Sequence, residues 1–244
     1  MADFIIEVAA FNIESALLAQ KAGADRVEFC NDPLGGGTTP STGQLKVARK
    51  MLKLQLFPII RPRGGNFVYT NAEFETMKTD IQLCRAIGCD GVVFGMLTPE
   101  GEIDSDRCAE LITHAGNMSL TFHRAFDRCV NPSKALEEII DLGFDRILTS
   151  GQQPTAAEGA STIWDLTKQA DERISLMPGG GVRLDNLAAI VKATAAWEFH
   201  TSLRVEKKDK KIKEGGNLPE DPGMFTIDDK QLKEMRKLLE KLFK

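Results

Sequence analysis

A single (β/α)8 barrel of the TIM type is the fold this sequence predicts, and three observations predict it. Eight short apolar or β-branched runs alternate with amphipathic helical stretches, the mark of βα units around a parallel sheet. The joints between helix and strand repeat: AGADRVEF, IGCDGVVF and LGFDRILT each place Gly (Gly23, Gly88, Gly143) at a helix end and Asp two residues later, then begin a strand. The length, 244 residues, matches the roughly 250 residues of such a barrel in one domain. An open doubly wound sheet is disfavoured, because no dinucleotide GxGxxG follows the first strand.

In chain order, the first strand is expected at 4–10, where FIIEVAA is interrupted by Glu7, and the second at 26–31, where RVEFCN carries Glu28 and Cys30. LFPIIRP (56–62) runs into Arg61 and Arg63, and GVVFGML (91–97) is apolar throughout. SLTFHRA (119–125) contains His123 and Arg124, followed by RILTSG (146–151), ISLMPG (174–179) and AWEFHTS (196–202). Residues 1–204 thus form the barrel core, 205–227 a charged insertion punctuated by Gly and Pro, and 228–244 a C-terminal helix completing the barrel. The insertion reads as a solvated loop, with a lid over the barrel mouth or an oligomer contact as alternatives.

Composition narrows the partners. With 42% hydrophobic and 27% charged residues the chain has material for a core, and its net charge of −4 lacks the basic footprint that nucleic acid or an anionic membrane demands. No apolar run reaches the ~18 residues of a membrane span, and MADFIIEVAAFNIESA has no secretory pattern, so a reducing, cytoplasmic setting is expected. The five cysteines, Cys30, Cys84, Cys89, Cys108 and Cys129, show no CxxC spacing and predict no disulfide framework. Cys84, Cys89 and Cys108 read as small buried hydrophobes, and a spacing of five is a poor one for placing Cys84 and Cys89 on one helix face.

In a barrel of this type the active site lies at the C-terminal strand ends, which makes polar residues there candidates for function. Glu7, Glu28, Arg61, Arg63, His123, Glu198 and His200 are the catalytic candidates. Strand alternation groups Arg61 with Arg63, and Glu198 with His200 and Ser202, each set turned into the mouth, and sends Arg124 outward to pair with the surrounding helices. A self-satisfied network of Glu7 and Glu28 with Arg61 and Arg63 is the structural alternative. Gly179, Gly180 and Gly181 in MPGGGVRLDN, with Ser202 after the last strand, fit an anion cradle at the position where such barrels hold phosphate, although three glycines equally fit a tight turn. Among metals, His123, His200, Glu198 and Glu28 suit a divalent ion and Cys30 suits soft Cu(I). His114 reads as a surface residue on a helix.

ADRVEFC, GGGTTPS, IRPRGGNFVYT, DGVVFGMLTPEGEID, TFHRAFD, DRILTSG, MPGGGV and WEFHTS, in this order, resemble the CutC family of copper homeostasis proteins. The resemblance covers roughly residues 4–204. It implies a TIM-type barrel that assembles as a dimer or tetramer in the cytoplasm, and for eukaryotic relatives also the nucleus, with a role in copper tolerance and Cu(I) binding through cysteine. The family's shared polar positions fall on Glu7, Glu28, Arg61, Arg63, His123, Arg124, Glu198, His200 and Ser202, and its shared cysteine on Cys30. Two functions of different class follow. One is a copper homeostasis protein that binds Cu(I) at Cys30. The other is an enzyme acting on a small phosphorylated or carboxylated metabolite, with MPGGG as anion cradle, Arg61 and Arg63 as clamps and His123 as general acid or base.

Overall fold

In the computed structural model, which describes residues 4–207 and 224–244, the chain alternates strand and helix from end to end. The elements run β1 (Ile5–Ala10), α1 (Ile13–Ala22), β2 (Arg26–Phe29), α2 (Thr42–Met51), β3 (Gln55–Pro58), α3 (Asn71–Ile87), β4 (Gly91–Phe94), α4 (Ser105–Ala115) and β5 (Ser119–Phe122). They continue with α5 (Pro132–Asp141), β6 (Arg146–Thr149), α6 (Ala160–Ala170), β7 (Ser175–Pro178), α7 (Leu184–Thr194), β8 (Glu198–Thr201), β9 (Arg204–Lys207), β10 (Met224–Ile227) and α8 (Asp229–Leu242). Strands β1 to β8 are the eight expected, and they pair in parallel as β3-β2-β1-β8 and β4-β5-β6-β7. The two arcs meet where Ile59 bridges Val93, with the Ile60 N–H donating to Val93 O at 2.8 Å, and where β7 lies beside β8. The result is the (β/α)8 barrel.

Local chemistry explains the joints. Asn12 caps α1, and Ser41 with Gln44 and Thr70 with Glu73 form capping boxes at the starts of α2 and α3. The repeated Gly-x-Asp joint does two tasks. Gly23, Gly88 and Gly143 take left-handed φ of 95, 83 and 85°, which ends the helix. Asp25, Asp90 and Asp145 then reach back to the preceding strand, their carboxylates accepting from the Ile6, Leu56 and Leu120 N–H groups at 2.9, 2.8 and 2.7 Å. The internal echo in the sequence is therefore a strand-locking device, used at β1–β2, β3–β4 and β5–β6.

The main apolar core lies between the strands and the helices, where Val8, Phe29, Leu56, Phe94, Phe122 and Ile147 meet Leu45, Met77, Leu111 and Leu136. Burying such side chains contributes about 1.5–3 kcal/mol each. Inside the barrel the apolar group is small, Cys30, Phe57, Ile59 and Val93, and the rest of the lumen holds charge. Both ends of the 205–227 insertion differ from the expected loop, for β9 and β10 pair as an antiparallel ribbon; residues 208–223 of that insertion lie outside the described residues. Among the described residues no helix is long and apolar enough to cross a membrane.

Candidate functional site at the barrel mouth

Each barrel strand stops one to four residues short of its predicted end except β1, and that shortening decides where the polar residues go. Residues after the stop belong to loops, so the alternation of the pleat no longer governs them. Residues still within the strands follow it.

Within the strands, one continuous chain of charge rises through the lumen. Arg26 at the start of β2 is 1% exposed; its Nε donates to Glu7 at 2.5 Å and its Nη2 donates to Glu198. Arg146 at the start of β6 donates to the same Glu198 at 3.1 Å and to Thr121 Oγ1 at 3.1 Å. Both guanidinium groups lie over the Phe57 ring, at 4.9 and 5.2 Å. Above this layer Glu7 Oε1 holds His200 Nδ1 at 2.7 Å, His200 Nε2 stands 3.8 Å from Glu28, and the Cys30 thiol reaches the Glu28 carboxylate at 3.5 Å. The sequence signal for Arg26 and Arg146, a basic residue opening a strand directly after the Gly-x-Asp joint, was present in ADRVEF and FDRILT.

The two carboxyl groups flanking His200 are pushed apart. Burial would raise Glu7, yet the Arg26 charge and His200 bring it down to about 2. Glu28 is raised, first by burial and then by the neighbouring Glu7 charge, against the pull of His200. Burial lowers His200, but its bond to Glu7 and the Glu28 charge leave it above its ordinary range. Burial and the Glu28 carboxylate hold the Cys30 thiol well above the usual value, so it is protonated.

Beyond the strand ends a cavity of about 500 Å³ opens, lined by Glu28, Cys30, Arg61, His123, Arg124, His200, Gly180, Gly181 and Ser202 among others. His123 is 3% exposed, and its Nδ1 accepts from the Ala125 N–H at 3.3 Å, which leaves the proton on Nε2. Burial and the Arg61 charge drive its pKa down to about 3, so the ring is neutral, and Nε2 has no partner. Arg61 ties the loops after β2 and β3 together, donating to Gly35 O, Gly37 O and Gly65 O at 2.8, 2.8 and 2.9 Å, while its buried Nε is unpartnered. Gly180 and Gly181 take φ of 93 and 75°, a left-handed backbone that suits glycine, in the turn ahead of α7.

Several sequence readings are corrected by this geometry. Arg63 does not share the mouth with Arg61: it turns to Glu73 at 2.6 Å and to Val68 O at 2.9 Å, and staples the loop before α3. Glu198 lies one layer below the cavity, bound by two arginines. Glu7 does not line the cavity either and acts on it only through His200. Gly179 is packed against Leu148 and His200, where a Cβ would collide, and only the next two glycines reach the cavity. Arg124 is not turned outward, because β5 ends at Phe122; its Nε pairs with Asp127 at 2.7 Å and its Nη2 with Ser150 Oγ at 2.7 Å, at the cavity wall. In place of the expected Arg61 and Arg63, Glu7 pairs with Arg26 and His200, and Glu28 faces His200 and Cys30. Cys84 and Cys89 are joined through the backbone at the end of α3, where the Cys89 N–H donates to Cys84 O at 3.0 Å.

The fold and this mouth define the chain as a (β/α)8 barrel with a built polar site at the C-terminal strand ends. The chain belongs to the CutC family, whose sequence profile matches residues 4–205. It is 51% identical over 215 residues to a CutC family protein of Bacteroides thetaiotaomicron, covering 87% of this chain and 86% of that one. It is 46% identical over 201 residues to the human copper homeostasis protein cutC homolog, covering 82% and 74%. The crystal structure of a CutC protein from Streptococcus agalactiae superposes with a TM-score of 0.78 at 34% identity, over 81% of this chain and 97% of that one.

Proposed function

We propose that this protein acts in copper homeostasis, the role its mouse and human relatives are named for, and that its mouth works by binding a small phosphorylated or carboxylated metabolite and moving a proton on it. One observation carries the second half: a neutral, buried His123 keeps an Nε2–H with no partner in the same cavity as Glu28 and His200. Leaving such a donor unpaired costs about 1–3 kcal/mol, a cost relieved when a ligand oxygen accepts from it. Glu28 is the proton carrier, because burial raises its carboxyl above the ordinary range while Glu7 stays ionised and holds His200. Arg61, Arg124 and the Gly180–Gly181 turn supply positive potential for the anionic group. The protein works in the cytoplasm as an oligomer.

A second reading, Cu(I) binding at Cys30, is favoured by the Cys30 thiol resting against Glu28, a base placed to take its proton. Among the described residues no other sulfur lines the cavity, so the mouth supplies one half of a two-sulfur Cu(I) site. Native mass spectrometry of protein purified without added metal tests the first reading. A retained small-molecule mass, lost in His123→Ala while the folded charge-state envelope persists, is the expected result; ligand binding unchanged by His123→Ala would reject it.

A further inference from the structure

The turn after β5 holds a carboxylate whose bonding is already complete. Asp127 is 6% exposed at its side chain. Its oxygens accept from the Thr149 hydroxyl at 2.5 Å, the Ser150 N–H at 3.0 Å and the Gln152 N–H at 3.2 Å, all in the loop after β6. That loop is bent around the carboxylate. Gly151 takes a φ of 66° where a Cβ would stand 2.4 Å from Gly159 O, and Gln152 follows at a φ of 60°, uncommon for a residue with a side chain. With the Arg124 Nε–H added at 2.7 Å, the carboxylate has no lone pair left for a proton or a metal ion.

What Asp127 does fix is Arg124. The Arg124 Nε bond to Asp127 and the Nη2 bond to Ser150 Oγ at 2.7 Å use one edge of the planar guanidinium. The other edge, Nη1 with the second N–H of Nη2, has no protein acceptor among the described residues. It lies beside Gly180, where a Cβ would come within 3.3 Å of Nη1, in the wall of the cavity that also contains the buried, unpartnered nitrogens of His123 and Arg61. His123 leans the opposite way, onto the Phe67 ring at 4.8 Å. Two residues adjacent in sequence therefore present donors on two sides of one cavity.

We propose that Asp127 is a positioning residue that holds the open edge of Arg124 as the receptor for the phosphate group of a phosphate monoester, leaving the rest of the substrate toward His123. This rests on the reading of the mouth as a site for a small anion and names its chemical class. Charge selects phosphate over a single carboxylate. The chain carries a net −4, yet the cavity is lined by Arg61, Arg124, Arg128 and Arg183 against two carboxyl groups, Glu28 and Asp127. A phosphate monoester, with about −1.5 to −2 charges at neutral pH, matches that excess, and its oxygens fit a guanidinium edge two at a time.

The test titrates 15N-labelled full-length protein with inorganic phosphate, and separately with acetate, following arginine Nε–H resonances and measuring affinity by calorimetry. The resonance missing from Arg124→Lys should move with phosphate and far less with acetate. Asp127→Asn should shift that resonance in the free protein and weaken phosphate by about tenfold or more, the effect of losing a charge-assisted hydrogen bond. Should a thermal melt show Asp127→Asn unfolded, Arg124→Lys decides: it keeps the charge, loses the fork and should also bind about tenfold more weakly. Phosphate affinity within about twofold of wild type in either folded variant would overturn the proposal, because a merely structural tie between two loops lowers the melt and leaves phosphate alone. A wild-type resonance that ignores phosphate, or that acetate moves equally, would overturn it too. His123→Ala separates this from the reading beneath it. A metabolite still retained in His123→Ala rejects that reading while Asp127-dependent phosphate binding stands; a metabolite lost there, with phosphate indifferent to Asp127, rejects this one alone.

Discussion

The lumen contains two polar layers that solve the burial of charge in opposite ways. The lower one, Arg26, Arg146, Glu7 and Glu198, balances two cations with two carboxylates and places both guanidinium groups over Phe57. The upper one leaves a protonated thiol, a raised carboxyl and unpartnered nitrogens on His123 and Arg61 around an open cavity. Paired charges with no solvent access build a scaffold, whereas unpaired groups facing a cavity are costly unless something binds there. The same residue types therefore do structural work at one height and chemical work a few ångströms above it.

The largest effect should come from breaking the lower layer. Glu198→Ala removes the carboxylate shared by Arg26 and Arg146, and breaking a buried pair in this way is expected to cost about 3–5 kcal/mol. Urea unfolding monitored by circular dichroism measures it. A loss below about 1 kcal/mol would mean that water reaches this layer and that the contrast between the two layers is false.

A second test uses the sign of proton linkage. Glu7 sits at about 2 against an ordinary 4.5, so its stabilisation is full above pH 4.5 and disappears as pH falls toward 2. His200 is raised above 6.5, so its contribution is full below that value and is lost as pH rises through the folded one; Glu28, raised above 4.5, has the same sign. Glu7 in the lower layer weakens in acid and the His200–Glu28 pair weakens in base, while His123, lowered to about 3 against 6.5, has the opposite sign and loses its contribution as pH falls below 6.5. Above pH 6.5, where the His123 contribution is full, the wild type should lose stability as pH rises, and His200→Asn should show a flatter profile in urea unfolding. An unchanged slope would show that His200 is not the group responsible.

The barrel and much of its mouth were legible in the sequence because period and punctuation are local. The Gly-x-Asp echo marks three joints, and Glu28, Cys30 and His200 sit where strand order and alternation place them. Partner choice was less legible, since it depends on which strands become neighbours across a closed lumen: Glu198 on β8 meets Arg26 on β2 and Arg146 on β6, 172 and 52 residues away. Strand length was the other hidden variable. Alternation carried past Phe122 and Pro58 sent Arg124 to the wrong side and grouped Arg63 with Arg61. The Cys84–Cys89 backbone turn is hidden for a related reason, because helical spacing does not extend across Gly88, which ends the helix.

Arg63 gives the smallest and most discriminating test of the boundary between scaffold and mouth. It lies two residues after Arg61, is 37% exposed at its side chain and pairs with Glu73 at the start of α3. An ion pair this exposed contributes at most about 1 kcal/mol, so Arg63→Ala should lower stability by no more than that. It should leave the affinity for any retained metabolite unchanged, whereas Arg61→Ala, which releases three loop carbonyls and removes a cavity wall, should abolish retention. Isothermal titration of the two variants with the eluted ligand compares them directly. Equal loss in both would return Arg63 to the mouth and make the loop after β3 a single clamp with two arginines.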